Sequence, residues 1–331
     1  MINNKIQKIL DQEQSRQNST IELIASENFA SQEVMDLCGS IFTNKYAEGL
    51  PLKRYYNGCK YVDKVELLAI EYATELFECN YANVQPHSGA NANLAVFKAF
   101  LNPGDTIVGM DLASGGHLSH GSKVNVSGKW FETKSYGVND QGLIDYDAVA
   151  ELVLRVRPKM LIAGASAYSQ LIDWQRFREI TDSVGAVLFA DISHYSGLIA
   201  GKEYPSPFPY ADVATSTTHK TLRGPRGGII LWNNQDYSKK INGAVFPGTQ
   251  GGPLMHVIAA KAQCFYEALQ PEFKLYAKQV CANADAMART FMDAGVKVVS
   301  NGTQCHLMTI DLTDEKYSGR EFADLLEAYG I

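Results

Sequence analysis

The chain has few of the features that would announce its class. Its six cysteines (Cys38, Cys59, Cys79, Cys264, Cys281 and Cys305) are scattered and form no CxxC pair. That excludes a sequence-evident zinc ribbon and leaves a disulfide framework without support. The longest uncharged stretch of interest, residues 160–172, is too short and too polar to span a membrane. The opening MINNKIQKILDQEQSRQ has no apolar core, so no secretory signal is expected and the cytoplasm is the expected location. Positive charge is also in deficit. Thirty Lys and Arg against 36 Asp and Glu give a net charge of −6, the opposite of the clustered basic footprint of a nucleic-acid binder. What is present is a chain of 331 residues, 46% hydrophobic, long enough for about two domains and apolar enough for a large core.

The order of the segments is informative. A helix is predicted over residues 4–17 and a shorter one over 32–38, behind Ser31 as N-cap. The stretch GSIFTNKYAEGLPLKRYYNGCKYVDK has neither a helical nor a strand period and reads as a long structured loop. A helix follows over about 63–78. Between residues 83 and 232, the apolar runs TIVGM, MLIAG, AVLFA, VATST and GIILW alternate with helical segments over 91–100, 145–156 and 174–184. Such alternation indicates a mainly parallel sheet with helices on both faces, whose ligands bind at the carboxyl ends of the strands. A helical stretch over about 255–294, broken near 270–271, leads to VKVVS, HLMTIDL and GREFADLLEAYGI, read as strand, strand and helix.

Several residues carry chemistry. Lys220, in TSTTHKTLRGPRGG, has three readings: a solvated loop lysine, a phosphate contact, or a Schiff-base lysine tuned by burial. The order GxxxxGK[ST] of a P-loop is missing around it. Asp191 follows a buried run in AVLFADISHYSG, where its charge needs a partner. That partner is either a protonated pyridine nitrogen or the N–H groups of the next turn. Asp191 and His194 also have the spacing of a metal pair, but no further cluster supports one, so no metal is expected. Ser88, Gly89 and Ala90, in QPHSGANANLAVFKAF, form a small turn before a helix, suited to a phosphate. His117, between glycines in LASGGHLSHGS, can offer its ring face to a flat ligand, while His120 reads as an ordinary loop histidine. A phosphate cradle, a stacking ring, an acid for a ring nitrogen and a late lysine together fit pyridoxal 5′-phosphate.

The wording of IELIASEN, NKYAEG, KRYYNGC, HSGANAN, GGHLSHG, STTHKTLRGPRGG and VFPGTQGGPLMH, in this order, resembles serine hydroxymethyltransferase along the whole chain. The resemblance implies an α/β, aspartate-aminotransferase-like (fold type I) transferase. Its parts would be an N-terminal arm and inter-subunit loop over 1–62, a large cofactor domain over 63–277, and the start of a small C-terminal domain over 278–331. It implies that Lys220 holds the cofactor covalently, that Asp191 pairs with the pyridine nitrogen beside His194, and that His117 stacks on the ring. Ser88, Gly89 and Ala90 would take the phosphate, helped by Gly251 and Gly252 of a partner subunit. Ser166 would contact the ring oxygen, and Thr217 would line the site. Tyr46, Glu48, Tyr55 and Tyr56 would reach across a homodimer, with a tetramer left open. Ser26 and Glu48 would serve the substrate, with Glu48 the best general acid/base and Tyr56 beside it. Arg226 would balance charge near Lys220 or act as a structural loop arginine, the first being favoured. Leu112, Gly116 and Leu118 would border the folate. The implied reaction converts L-serine and tetrahydrofolate into glycine and 5,10-methylenetetrahydrofolate.

The chain also departs from that family. Leu50, Leu52, Asn57 and Lys60 stand where Tyr, Gly, Gly and Glu are more usual, and Leu52 and Asn57 are expected to disturb a loop where glycine allows a positive φ. Ser193, Tyr195 and Ser196 replace small or aliphatic residues close to the cofactor. A GLRxGTP-type arginine, which clamps the substrate carboxylate, does not occur; Arg289 and Arg320 stand in other contexts. Family members usually continue past the equivalent of Ile331, so the small domain is read as unfinished. These departures motivate two alternatives: folate-independent aldol cleavage of 3-hydroxy amino acids, and an inactive cofactor-binding subunit.

Overall fold

The structure, a computed structural model, describes residues 2–331. Its first elements are α1 (Asn4–Ser19), α2 (Gln32–Cys38), the two-residue strands β1 (Gly49–Leu50) and β2 (Lys53–Arg54), α3 (Lys60–Phe77), β3 (Tyr81–Asn83) and α4 (Gly89–Phe100). The alternating region continues through β4 (Thr106–Met110), α5 (Val126–Trp130), β5 (Glu132–Tyr136), α6 (Tyr146–Val156) and β6 (Met160–Ala163). Then come α7 (Trp174–Asp182), β7 (Val187–Asp191), α8 (Ser196–Ala200), β8 (Val213–Thr217), β9 (Gly228–Trp232) and α9 (Ser238–Val245). The chain finishes with α10 (Met255–Leu269), α11 (Pro271–Asp293) and α12 (Gly319–Ala328).

Seven strands form one sheet in the order β3-β9-β8-β7-β6-β4-β5. Neighbours from β5 to β8 run parallel, while β9 is antiparallel to both β8 and β3. Strands β6, β8 and β9 are buried at every position, as the unbroken apolar runs require of a sheet covered on both sides. Alternate residues divide between the two covers. Ile107, Met160, Ile162, Phe189, Val213 and Ile230 pack with Phe97 and Ile241 from α4 and α9. Val108, Leu161, Leu188, Ala214 and Leu231 face the larger core with residues of α3, α6, α7 and α10. No helix is long and apolar enough to cross a membrane among the described residues.

Three details differ from the sequence reading. Helix α3 begins at Lys60 rather than Asp63, and the loop before it contains a 3-10 turn at Ile41–Asn44 and the β1–β2 hairpin. Strands β3 and β5 are additional; β5 is a largely exposed edge strand, ETKSY, whose polar residues hide its period. The strand pair expected in VKVVS and HLMTIDL shrinks to a single bridge, Val298 to Ile310, flanked by the N–H of Val299 on Thr309 and of Asp311 on Lys297. Ser300 (φ 60°) and Asn301 (φ 53°) turn left-handed there, so the backbone leaves the extended region after one bridge.

Candidate active site

The carboxyl ends of β4, β6, β7 and β8 open into a cavity of about 550 Å³, met on its other side by the start of α4. Its wall includes Ser26, Ser88, Gly89, Ala90, His117, Ser166, Asp191, His194, Thr217, Lys220 and Arg226. Eleven of the proposed residues, from Ser26 to Arg226, thus meet in one place.

Asp191 ends β7 and is 6% exposed. Its Oδ2 accepts from Asn93 Nδ2 at 2.9 Å and faces His120 Nε2 at 3.0 Å; its Oδ1 accepts from Ser193 Oγ at 2.6 Å and Ser193 N at 3.2 Å. Burial alone would raise its pKa, but the hydrogen bonds and charge of His120, with those of Ser193 and Asn93, outweigh it and hold the carboxyl well below the carboxylate range. The bond from Ser193 N is the turn contact of the capping reading, and it leaves the pairing with a ring nitrogen open. Lys220 lies three residues beyond β8 and is 8% exposed. Burial lowers its pKa, Asp191 opposes this and Arg226 adds to it. Among the described residues no carboxylate comes within salt-bridge distance of its ammonium. The loop is anchored by Asn28, which donates to the Lys220 carbonyl at 3.0 Å.

Ser88 is the N-cap of α4, its Oγ accepting from Asn91 N at 3.1 Å. Gly89 must be glycine because a Cβ there would meet Thr217 Cγ2 at 2.6 Å. With Asn91 N taken by Ser88 and Ala92 N by the Ser88 carbonyl, the N–H groups left for an anion in this turn are those of Gly89 and Ala90, both on the cavity wall beside a hydroxyl. His194 stacks on His306 (centroids 5.5 Å apart, interplanar angle 24°) with Nδ1 and Nε2 at 3.3 Å. Burial, then Lys220 and His306, pushes its pKa down to about 2. His306 and His219 are lowered to about 4, chiefly by burial, and burial lowers His117 as well.

The match to known proteins is extensive. The family model described as serine hydroxymethyltransferase covers residues 1–331. The serine hydroxymethyltransferase of Phenylobacterium zucineum is 59% identical over 327 residues, which is 98% of this chain and 76% of that protein. Those of Nitratiruptor sp. and Lactobacillus johnsonii are 56% and 58% identical, with 98% and 96% of this chain matched to 79% and 78% of theirs. The chain belongs to the serine hydroxymethyltransferase family. It therefore has the fold type I architecture and uses pyridoxal 5′-phosphate, with tetrahydrofolate as co-substrate. Nothing in these relatives favours cofactor-dependent aldol cleavage without folate or an inactive subunit.

The residues present fit that cofactor. A buried anion, a buried amine, a helix N-terminus and several hydroxyls share one cavity, and the buried Nδ1 of His219 on its wall has no hydrogen-bond partner among the described residues. Other expected hydroxymethyltransferase residues lie elsewhere. Tyr46, Glu48, Tyr55, Tyr56, Gly251 and Gly252 do not line the cavity. Instead Tyr46 packs edge-on against Tyr56 (5.7 Å), and a Cβ on Gly252 would touch the Tyr46 ring at 3.0 Å. Leu112 lines an adjoining cavity of about 490 Å³ that shares His117 and His120 with the first; Leu118 is exposed beside it, and Gly116 is buried between them. Arg289 pairs with Asp285 on the exposed side of α11, and Arg320 is exposed on α12.

Three expectations are corrected. His120 is not an ordinary loop histidine: it is 4% exposed and bonded to Asp191. The ligand cluster absent from the sequence exists in space, since His117, His120 and Asp191 bring one ligand atom each within 4.8 Å of the others. Hydrogen bonds account for this spacing, His120 to Asp191 and His117 Nδ1 to Ser119 Oγ at 2.7 Å. Asn57 keeps a negative φ, and the left-handed residue beside it is Gly58, so only Leu52 (φ 63°) meets the backbone demand expected of both. Sequence reasoning also missed Asn28, Asn93 and His120 as supports. The one available signal was Asn93, a poor helix former inside α4; it receives Thr215 Oγ1 at 2.6 Å while donating to Asp191.

Proposed function

We propose that this cavity is where the chain transfers the hydroxymethyl carbon of L-serine to tetrahydrofolate, leaving glycine. The observation that carries the assignment is the convergence of the Lys220 amine, the Asp191 carboxylate, the His117 ring and the N-terminus of α4 on one enclosed space. When bound there, pyridoxal 5′-phosphate supplies an aldehyde for an amine and a ring that takes up the electron pair of the broken Cα–Cβ bond. Lys220 provides the amine that holds the aldehyde carbon, and its lowered pKa keeps more of it in the nucleophilic form. Asp191, ionised throughout the neutral range, holds a proton on the ring nitrogen. Ser88, Gly89 and Ala90 receive the phosphate, His117 covers the ring, and Ser166 and Thr217 present hydroxyls to its polar edge. His194, with a pKa near 2, acts as a neutral imidazole. Arg226 is the one arginine on the cavity wall among the described residues, and with Ser26 it receives the amino-acid carboxylate. Leu112, Gly116 and Leu118 border the folate next to His117.

The same reading makes the enzyme a homodimer with shared sites, each site completed by Tyr46, Glu48, Tyr55, Tyr56, Gly251 and Gly252 of the other subunit. Its support is that these residues cluster away from their own cavity with large apolar groups exposed around them: Ile41 is 84%, Tyr55 71% and Tyr46 58% exposed. Glu48 is then the acid/base group reaching the serine hydroxyl. An arm over 1–62, a cofactor domain over 63–277 and a further unit over 278–331, in a cytoplasmic enzyme, complete the proposal. The test is glycine formation from L-serine with and without tetrahydrofolate. Folate-dependent formation is expected, falling by about a thousandfold or more in Lys220→Ala together with the cofactor's absorbance band. Equal rates with and without folate would replace this reading by aldol cleavage.

A further inference from the structure

Lys261, on α10, is 1% exposed and plays no part in the chemistry above. Its Nζ donates to the carbonyls of Val84 (2.7 Å), Gly228 (2.8 Å) and Pro86 (3.0 Å). No carboxylate lies within 4 Å of it among the described residues. Three acceptors use all three donors of an ammonium and oppose the effect of burial, which lowers the pKa to about 7. The acceptors come from the end of β3, the approach to α4 and the start of β9, all of which bracket the Ser88–Gly89 turn. The Pro86 carbonyl also accepts from Gly228 N at 3.0 Å. A Cβ on Gly228 would collide with the Ser88 carbonyl, and one on Gly227 with the Lys261 stem. The glycines of RGPRGG thus let the strand start close between the lysine and the turn.

We infer that Lys261 is a positioning residue of the phosphate turn: its buried ammonium fixes the peptide units of Val84, Pro86 and Gly228 that flank Ser88 and Gly89, and places positive charge behind the anion site. The inference rests on the assignment of that turn to the cofactor phosphate. The enzyme is stripped of cofactor and titrated separately with pyridoxal 5′-phosphate and with pyridoxal, which lacks the phosphate, following absorbance. Lys261→Met is expected to lower the preference for the phosphorylated form about tenfold, with pyridoxal affinity unchanged. Lys261→Arg, which keeps the charge, should retain more of the preference than Lys261→Gln. Equal weakening of both ligands, or an unchanged preference, overturns the inference. Ser88→Ala separates the two levels. If it lowers the preference while Lys261→Met does not, the phosphate assignment stands and the role of Lys261 falls. If neither substitution changes the preference, the assignment itself falls and takes the inference with it. Should Lys261→Met not fold, Lys261→Gln decides, since it keeps an N–H₂ donor without the charge.

Discussion

The cavity at the sheet edge and the arm that precedes α3 are built in opposite ways. In the cavity, polar groups are buried and held by neighbours distant in sequence; Asp191 alone takes hydrogen bonds from Asn93, His120 and Ser193. Along residues 41–58 most large side chains, Ile41, Tyr46, Leu52, Tyr55 and Tyr56, face outward, while Phe42 and Ala47 pack on the core and one residue gathers most of the polar ties. That residue is Arg54, whose side chain is 3% exposed; it pairs with Asp63 at 2.8 Å and Glu66 at 2.5 Å and donates to the carbonyls of Ala47 and Gly49. Gln85, donating to both Gly49 and Glu66, links this anchor to the strand leading to the phosphate turn. The first region is preorganised by its own chain. The second has an anchored base and an exposed apolar surface, which the proposed homodimer would cover.

The largest expected effect tests that division directly. Lys220→Ala and Glu48→Gln are each expected to lose nearly all turnover, yet mixing the two after dissociation and reassociation should restore activity in about a quarter of the sites, because a hybrid dimer contains one intact site. No recovery on mixing would place Glu48 and Lys220 in the same chain's site. Next comes Arg54→Leu, which leaves Asp63 and Glu66 without their buried partner and should cost about 3–5 kcal/mol in chemical denaturation. A loss near zero would show that the arm is not anchored there.

A smaller effect is expected from His120→Phe, about 2 kcal/mol, through loss of a hydrogen bond to a buried carboxylate. It also has a pH signature. A carboxyl whose folded pKa is depressed stabilises the fold above its unfolded pKa, and that stability is lost as pH falls. Removing His120 raises the folded pKa of Asp191, so less stability remains to be lost on acidification, and the difference between variant and parent should narrow toward low pH. The smallest effect belongs to Leu52, 77% exposed at φ 63°. Leu52→Gly relieves the left-handed strain at some entropic cost and should raise stability by about 0.5 kcal/mol, read as a shift in denaturation midpoint. A loss of stability would mean that Leu52 makes contacts worth more than its strain.

Much of the fold was legible because its signals are local. The five apolar runs between residues 83 and 232 fall on β4, β6, β7, β8 and β9 within about a residue, and Ser31, Ser88 and Pro271 mark helix starts where capping and proline geometry place them. The misses were non-local. Strand β5 is recognisable only through its pairing with β4, and VKVVS has strand composition but only one bridge to satisfy it. Within the site, Lys220, Asp191, His117 and Ser88 could be named from motif and position. Their supports could not: Asn93 reaches Asp191 across 98 residues and Asn28 reaches the Lys220 carbonyl across 192. Lys261 gave no sign at all, since a lysine in a helix reads as a solvated residue until its three carbonyls are seen.

The scarcity of cysteine pairs, long apolar runs and basic clusters excluded whole classes from the sequence alone, because each of those classes needs a composition that can be counted. The alternation of apolar runs and helices likewise determined a covered, mainly parallel sheet, because period and burial are properties of short segments. Tertiary structure decided the surroundings of each group: it buried Lys220 and Asp191, turned His120 from a loop residue into a support, and set Glu48 and Tyr56 apart from the cavity of their own chain. Charge state and reach depend on what surrounds a side chain, and those surroundings are assembled only when distant segments pack together.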